Sequence, residues 1–163
     1  MKSKELHISV LRSDAYTRAR IKASYSASKS IPSMGNGAYD QIQIADADSI
    51  LVDKYWNEAC AAGSAVIDDY ADYTHTDVTE YSATLRMPMN YDTRKGGVIS
   101  EKFSEYIINA VLARWFNDTA RDKAEYYEQK ASNLLVSIES LLASRLRPMR
   151  KRGCSCVEFE EGD

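Results

Sequence analysis

The apolar positions of this chain follow two rhythms, and the changes between them mark its elements. Leu6, Ile8 and Val10 alternate with His7 and Ser9, the period of a short strand over 5–11. Ser13 then supplies an N-cap for a helix running through Arg20 or a little further. Residues 24–40, SYSASKSIPSMGNGAYD, are rich in Ser and Gly with Pro and Asn, and they predict a loop. Gln41 to Ile44 alternates again as a second short strand. A longer helix follows over 47–71, with Asp46 or Asp48 as its cap. Leu51, Tyr55, Ala59, Ala62, Val66 and Tyr70 form one stripe of it, with Val52, Trp56, Cys60 and Ile67 alongside. A stripe that wide predicts burial on more than one side. Gly63 inside it costs about 1 kcal/mol relative to Ala, so it marks either close approach of another helix or a tolerated flaw.

Between Glu80 and Met89 the period becomes two: Tyr81, Ala83, Leu85, Met87 and Met89 point one way, and Glu80, Ser82, Thr84 and Arg86 the other. Pro88 cannot donate to a ladder, which places it at a sheet edge or at the strand's exit. No strand is predicted beside this one in sequence, so its partner is 5–11, 41–44 or a strand of another subunit. Residues 91–97 are a turn. A helix then starts near Ser100 and runs to Phe116 or Asn117, with Phe103, Ile107, Ala110, Val111 and Arg114 on one face and Tyr106 and Trp115 beside it. A break at NDT, with Asp118 or Thr119 as cap, leads to the last helix. There Ala124, Tyr127, Ala131, Leu134, Ile138 and Leu141 recur at helical spacing. Pro148 should stop it near Leu146 or Arg147. So short a break makes the two helices an antiparallel hairpin, and the helix over 47–71 is the expected partner of its apolar stripe. The predicted class is mainly α: a helical bundle with a C-terminal helical hairpin and a small β element. The predicted organisation is an N-terminal extension over 1–45, a helical core domain over 46–147 and an extended basic-then-acidic tail over 148–163.

Charge adds an asymmetry. The chain of 163 residues carries a net charge of -3, but residues 1–40 hold seven basic and three acidic side chains, and residues 41–80 hold one basic and nine acidic. Fields of opposite sign in one small protein can steer copies or partners into register. Eleven tyrosines against three phenylalanines favour surfaces that are buried part of the time. The opening MKSKELHISVLRSD has no apolar run of signal-peptide length, and no run approaches the length of a membrane span. Synthesis in a reducing cytoplasm is therefore the expectation, with Cys60 a free, helix-buried thiol.

Candidate chemistry is sparse. His75 stands among Asp72, Thr74, Thr76 and Asp77, without zinc-ligand spacing or the central glycine of a calcium loop. A polar turn explains the same residues. Cys154 and Cys156 are too close for a zinc knuckle and lack a second pair. No glycine-rich phosphate loop follows a strand, and no nucleophile elbow is present. No catalytic residue, metal or cofactor is predicted. The one sharp cluster is Arg145, Arg147, Arg150, Lys151 and Arg152. Helix-dipole compensation accounts for the first two. The last three call for phosphate or an acidic protein surface, and the acidic chain favours the protein surface.

The order of a long helix, an isolated strand and a hairpin carrying EYIINAVLARWF and SNLLVSIESLLASRLRP resembles the head-to-tail connector (adaptor) proteins of tailed bacteriophages. The likeness spans roughly 46–150, with Leu141, Leu142, Arg145 and Arg147 where the family carries a small-residue, leucine and arginine segment. It departs in some 45 extra N-terminal residues and in the tail after Pro148. The resemblance implies a structural virion protein without enzymatic activity, made in the bacterial host cytoplasm. Copies would form an oligomeric ring in the neck, joining portal to tail proteins and letting DNA pass. Contact with DNA would be non-specific, and no membrane is involved. Arg145, Arg147, Arg150, Lys151, Arg152, Trp115 and Tyr81 are then the expected interface residues. The alternatives are a basic-armed nucleic-acid-binding module, another virion or tail-completion protein, and a small enzyme in which acidic residues of 46–80 and 100–128 converge.

Overall fold

Two turns of helix from Tyr106 to Leu112 are buried at every position, and the rest of the molecule is arranged to cover them. The computed structural model describes residues 3–34 and 42–146. In chain order these form strand β1 (Lys4–Leu11), helix α1 (Arg12–Met34), helix α2 (Ser49–Ile67), strands β2 (Ala71–Thr76) and β3 (Glu80–Met87), helix α3 (Gly96–Thr119) and helix α4 (Arg121–Ala143). The fold is mainly helical with one small antiparallel sheet of order β1-β3-β2.

The sheet is centred on β3. Its inward side chains Tyr81, Ala83, Leu85 and Met87 are buried, and the strand ends there, with Pro88 as its exit. On one side it pairs with β1, Lys4 opposite Met87 and Leu11 opposite Glu80, which is the distant pairing expected for 5–11. On the other side lies β2, at 71–76, where a polar turn was expected. All of its residues but Ala71 are exposed, so no alternation betrays the strand. It is held by a tight turn in which the Asp77 N–H donates to the Glu80 carbonyl (2.9 Å) and by the Asp72–Arg86 ion pair across the strands (2.8 Å). β3 is thus paired on both edges within the subunit. Gln41 lies outside the described residues, and no strand forms over 42–44. Ile42 and Ile44 are instead core residues, and the Ile42 carbonyl accepts a hydrogen bond from Trp115 Nε1 (2.8 Å).

Helix α1 runs to Met34, well past Arg20 and through residues 24–34 of the stretch expected to be loop, while residues 35–40 of that stretch lie outside the described residues. Ala15, Ala19, Ala23 and Ala27 explain the difference. Spaced four apart, they form one face, all at most 4% exposed. Ala15 and Ala19 lie beside Trp56 of α2 and Ile108 and Val111 of α3. Such a face carries little hydrophobicity per residue but lets two helix axes come close, and alanine is the best helix former. Residues 4–34 therefore share the core of 46–143, and no packing boundary falls at 45.

Helix α2 buries Val52, Tyr55, Trp56, Ala59, Cys60, Gly63 and Ile67. Its buried face is turned from the predicted stripe toward the flanking positions, leaving Leu51 and Ala62 exposed. Asp48 precedes the helix but accepts from the Ala45 N–H (2.8 Å) rather than from the helix's own amides. Gly63 marks a close approach: a Cβ there would stand 2.7 Å from Phe103 Cζ and 3.0 Å from Tyr106 Cε1. Phe103 also stacks on Tyr81 (centroids 4.9 Å apart), whose hydroxyl meets Ser64 Oγ at 2.9 Å. One contact point thus joins α2, α3 and the sheet.

Helix α3 begins at Gly96 rather than at Ser100, behind a short turn capped by Asp92, whose carboxylate accepts from the Arg94 N–H (3.2 Å). It breaks at Ala120 alone, an extended residue (φ -157°). Neither Asp118 nor Thr119 caps α4: Asp118 accepts from the Tyr55 hydroxyl (2.9 Å) and Thr119 bonds back to the Trp115 carbonyl (3.1 Å). Ala124, Tyr127, Ala131, Ile138 and Leu142 line the buried side of α4. They pack chiefly on α3, the hairpin partner, rather than on the helix at 49–67. Phe116 and Tyr127 stack at 5.4 Å.

Two outcomes follow. Gly63→Val should destabilise the protein by on the order of 2 kcal/mol through overpacking against the Phe103 ring, lowering the melting temperature by several degrees in a circular-dichroism scan. An unchanged melting temperature would mean that the α2–α3 approach is loose. Cys60 is fully buried, and burial pushes its thiol up to about 12. A thiolate reagent should therefore leave it unmodified in native protein at about pH 8 and label it in denaturant, as read by peptide mapping.

Candidate functional site

The expected interface residues fall into three groups. Arg147, Arg150, Lys151 and Arg152 lie outside the described residues. Arg145 is exposed at the end of α4, and its guanidinium donates to the Leu142 carbonyl (2.6 Å) and the Ser144 carbonyl (2.9 Å). That arrangement satisfies helix-end carbonyls otherwise left without donors. Tyr81 and Trp115 are not on the surface, in contrast to the expectation. Tyr81 is wholly buried and Trp115 is 6% exposed. Their polar tips are satisfied inside the subunit, by Ser64 and by the Ile42 carbonyl. Large amphipathic side chains with an internal partner serve the core, and nothing in their spacing distinguishes that from an interface.

The helix stops at Ala143, short of the expected end at Leu146 or Arg147, and Ser144 is extended (ψ 141°). The chain then turns back on the body, where the Leu146 N–H donates to the Asn90 carbonyl (2.7 Å). Asn90 belongs to the exit from β3, itself fixed by the buried Tyr91, whose carbonyl accepts from Lys4 Nζ (2.8 Å). Burial pushes the Tyr91 hydroxyl up; Asp92 adds to this and Arg145 opposes it. The basic segment after Leu146 therefore departs from a pinned point.

The opposite charges of the first two quarters of the chain meet within the subunit. Arg12 pairs with Asp53, Arg20 with Asp46 (2.8 Å), and farther along Arg114 with Glu58 (2.9 Å). Arg12 also donates to the Val78 carbonyl (2.9 Å), tying the start of α1 to the hairpin turn. Asp68 and Asp69, exposed just before β2, have no ion-pair partner among the described residues. Two ion pairs thus join the basic first quarter directly to the acidic second.

Among the described residues, the surface carries open grooves, of which three stand out. One of about 450 Å³ between α3 and α4 includes Arg114, Asn117 and Glu128. A second, about 490 Å³, lies beside the β2–β3 turn at Arg12, Tyr16 and Val78. The third, about 400 Å³, brings together Lys22 of α1, Lys102, Glu105 and Asn109 of α3, and Lys130 of α4. Its lysines come from three helices, so spacing along the chain carries no sign of it. Glu105 is held by Lys22 (2.8 Å) and by Arg18. Burial works to raise its pKa, but the hydrogen bond and charge of Lys22, with Arg18, outweigh this and keep it below the usual carboxylate value. Near the first groove, desolvation and the bond to Asp118 push the Tyr55 hydroxyl up to about 12, so it remains a donor at neutral pH. His75 lies exposed on β2, stacked beside Tyr73 (6.2 Å). Among the described residues no three His, Cys, Asp or Glu side chains gather in a way that could hold a metal ion. No helix among them is long and apolar enough to cross a membrane. Comparison with protein-family models, with curated proteins and with solved structures finds no match.

Glu105 has a testable pH signature. A carboxylate whose folded pKa is depressed contributes stability that is present above its unfolded pKa and lost as pH falls through the folded value. Wild type should exceed Glu105→Gln by on the order of 1 kcal/mol at about pH 7, and the gap should close in acid, below the unfolded glutamate value of about 4.3. Urea midpoints at the two pH values measure it; a gap independent of pH would contradict the ion-pair assignment.

Proposed function

We propose that this chain is a structural, non-enzymatic subunit that works by assembly, as a ring in the head-to-tail connector of a tailed bacteriophage. In this reading it is made in the host cytoplasm and ends in the virion, between portal and tail or neck proteins. DNA passes through the ring with at most non-specific contact. The observation that carries the proposal is the pinned departure of the basic segment. The Leu146–Asn90 bond holds the root of the four basic residues that follow it, Arg147, Arg150, Lys151 and Arg152, at one place on the helical body, which suits a segment meant to reach a neighbour in fixed register. The resemblance of the hairpin sequence to connector proteins supports the same reading. So does the outer edge of β2, exposed along nearly its whole length and able to pair with an incoming strand. A ring requires head-to-tail contacts between unlike surfaces, closed by rotation, and a basic segment and an exposed strand edge are unlike surfaces.

The test is the mass of the purified protein by native mass spectrometry or light scattering, alone and mixed with a portal. Expected is a closed oligomer, or one formed when the portal is added. A monomer that binds no virion component at high concentration would overturn the proposal.

A further inference from the structure

The groove between α1, α3 and α4 carries more positive charge than its own residues use. Three lysines line it against one glutamate, and that glutamate is already engaged by Lys22 and by Arg18. Lys102 has no hydrogen-bond or ion-pair partner among the described residues. The Lys130 ammonium rests only over the Tyr126 ring (4.5 Å). On the floor, Asn109 is 3% exposed; its Nδ2 donates to the Glu105 carbonyl (2.7 Å), while its Oδ1 has no partner among the described residues. A buried acceptor without a donor is costly. The unmet charges in the groove are those of Lys102 and Lys130, and an occupant that suits it brings anions for them. An extended acidic peptide brings these as side-chain carboxylates.

We propose that the groove binds the acidic segment 158–163, EFEEGD, of this same chain. Glu158, Glu160, Glu161 and Asp163 supply the carboxylates, and Phe159 finds an apolar contact in Leu134 of the groove wall. Length permits it. The described chain ends at Leu146, pinned to Asn90. Along α4 the distance from Lys130 to Ala143 is about 20 Å at helical rise, and the stretch from residue 146 to residue 158 spans up to about 40 Å when extended. Occupancy of the groove does not require a ring. It would leave the basic residues 150–152 as a bridge between two fixed points, the Asn90 anchor and the groove.

Zero-length carbodiimide cross-linking of the full chain, followed by peptide mapping, tests this with an internal control, because the Lys22–Glu105 pair should link in every sample. Expected are links from Lys102 or Lys130 to Glu158, Glu160, Glu161 or Asp163, several-fold weaker in about 0.5 M salt, where surface charges are screened. In an equal mixture of ¹⁵N-labelled and unlabelled protein, single-isotope links are expected, and mixed-isotope links, which mean a neighbouring copy, would overturn the proposal. In E158Q/E160Q/E161Q, which leaves the helical body untouched, acetylation of Lys102 and Lys130 should rise several-fold while that of Lys22 stays constant. Formation of the Lys22–Glu105 link with Lys102 and Lys130 unlinked, or linked instead to acids of 46–80, would overturn the proposal, as would unchanged acetylation in the triple variant.

Discussion

A helix with no face toward water must be covered on every side, and in this protein that demand comes from Tyr106 to Leu112 of α3. A single neighbouring helix covers one stripe, so four different elements are needed. α4 supplies the antiparallel hairpin partner, α2 a glycine against which Phe103 and Tyr106 can rest, α1 a face of alanines, and the sheet the ring of Tyr81. Bulk sits on α3 and small residues sit on α1 and at Gly63. Complementarity of this kind is how interiors reach crystal-like density without strain. It also makes the contact around Phe103 sensitive to added volume from any of three directions.

The elements legible in the sequence are those whose burial is one-sided and whose side chains are large. β1, β3, α2, α3 and α4 all announce themselves by period. Two elements that lack this signature were misread, each for its own reason. α1 was obscured beyond Arg20 because its buried positions are alanines and five of its other positions are serines, so that composition imitates a loop while geometry makes a helix. β2 was obscured because neither face is buried, and a strand held only by its ladder and an Asp72–Arg86 pair leaves no alternation to read. Tyr81 and Trp115 illustrate a different limit. An amphipathic ring is equally suited to an interface and to a core with a polar partner, and only the positions of Ser64 and Ile42 decide between them. The groove at Lys22, Lys102 and Lys130 was invisible because three helices each contribute one lysine.

The charge pattern changes meaning once the fold is known. As a sequence feature, a basic first quarter followed by an acidic second quarter suggests fields directed at partners. In the fold, Arg12–Asp53 and Arg20–Asp46 join those two quarters to each other. What remains for partners is more local: Asp68 and Asp69 beside the open edge of β2, the basic residues that follow the Leu146 anchor, and the lysines of the third groove. Exposed pairs contribute little stability individually, so the weight of holding α1 in place falls on its alanine face rather than on its charges.

That distinction bears on the central claim, that residues 4–34 belong to the same cooperative body as the hairpin and are folded before any assembly. Native-state hydrogen exchange, followed by mass spectrometry on the isolated protein, addresses it most directly. If β1 and α1 are part of the body, amides of Leu6 to Val10 and of Ala15 to Ala27 should exchange on the same slow, globally limited timescale as those of Tyr106 to Leu112. Exchange in the first set that is orders of magnitude faster, with the hairpin still protected, would contradict it and make the N-terminal segment an appendage that docks on a body already complete.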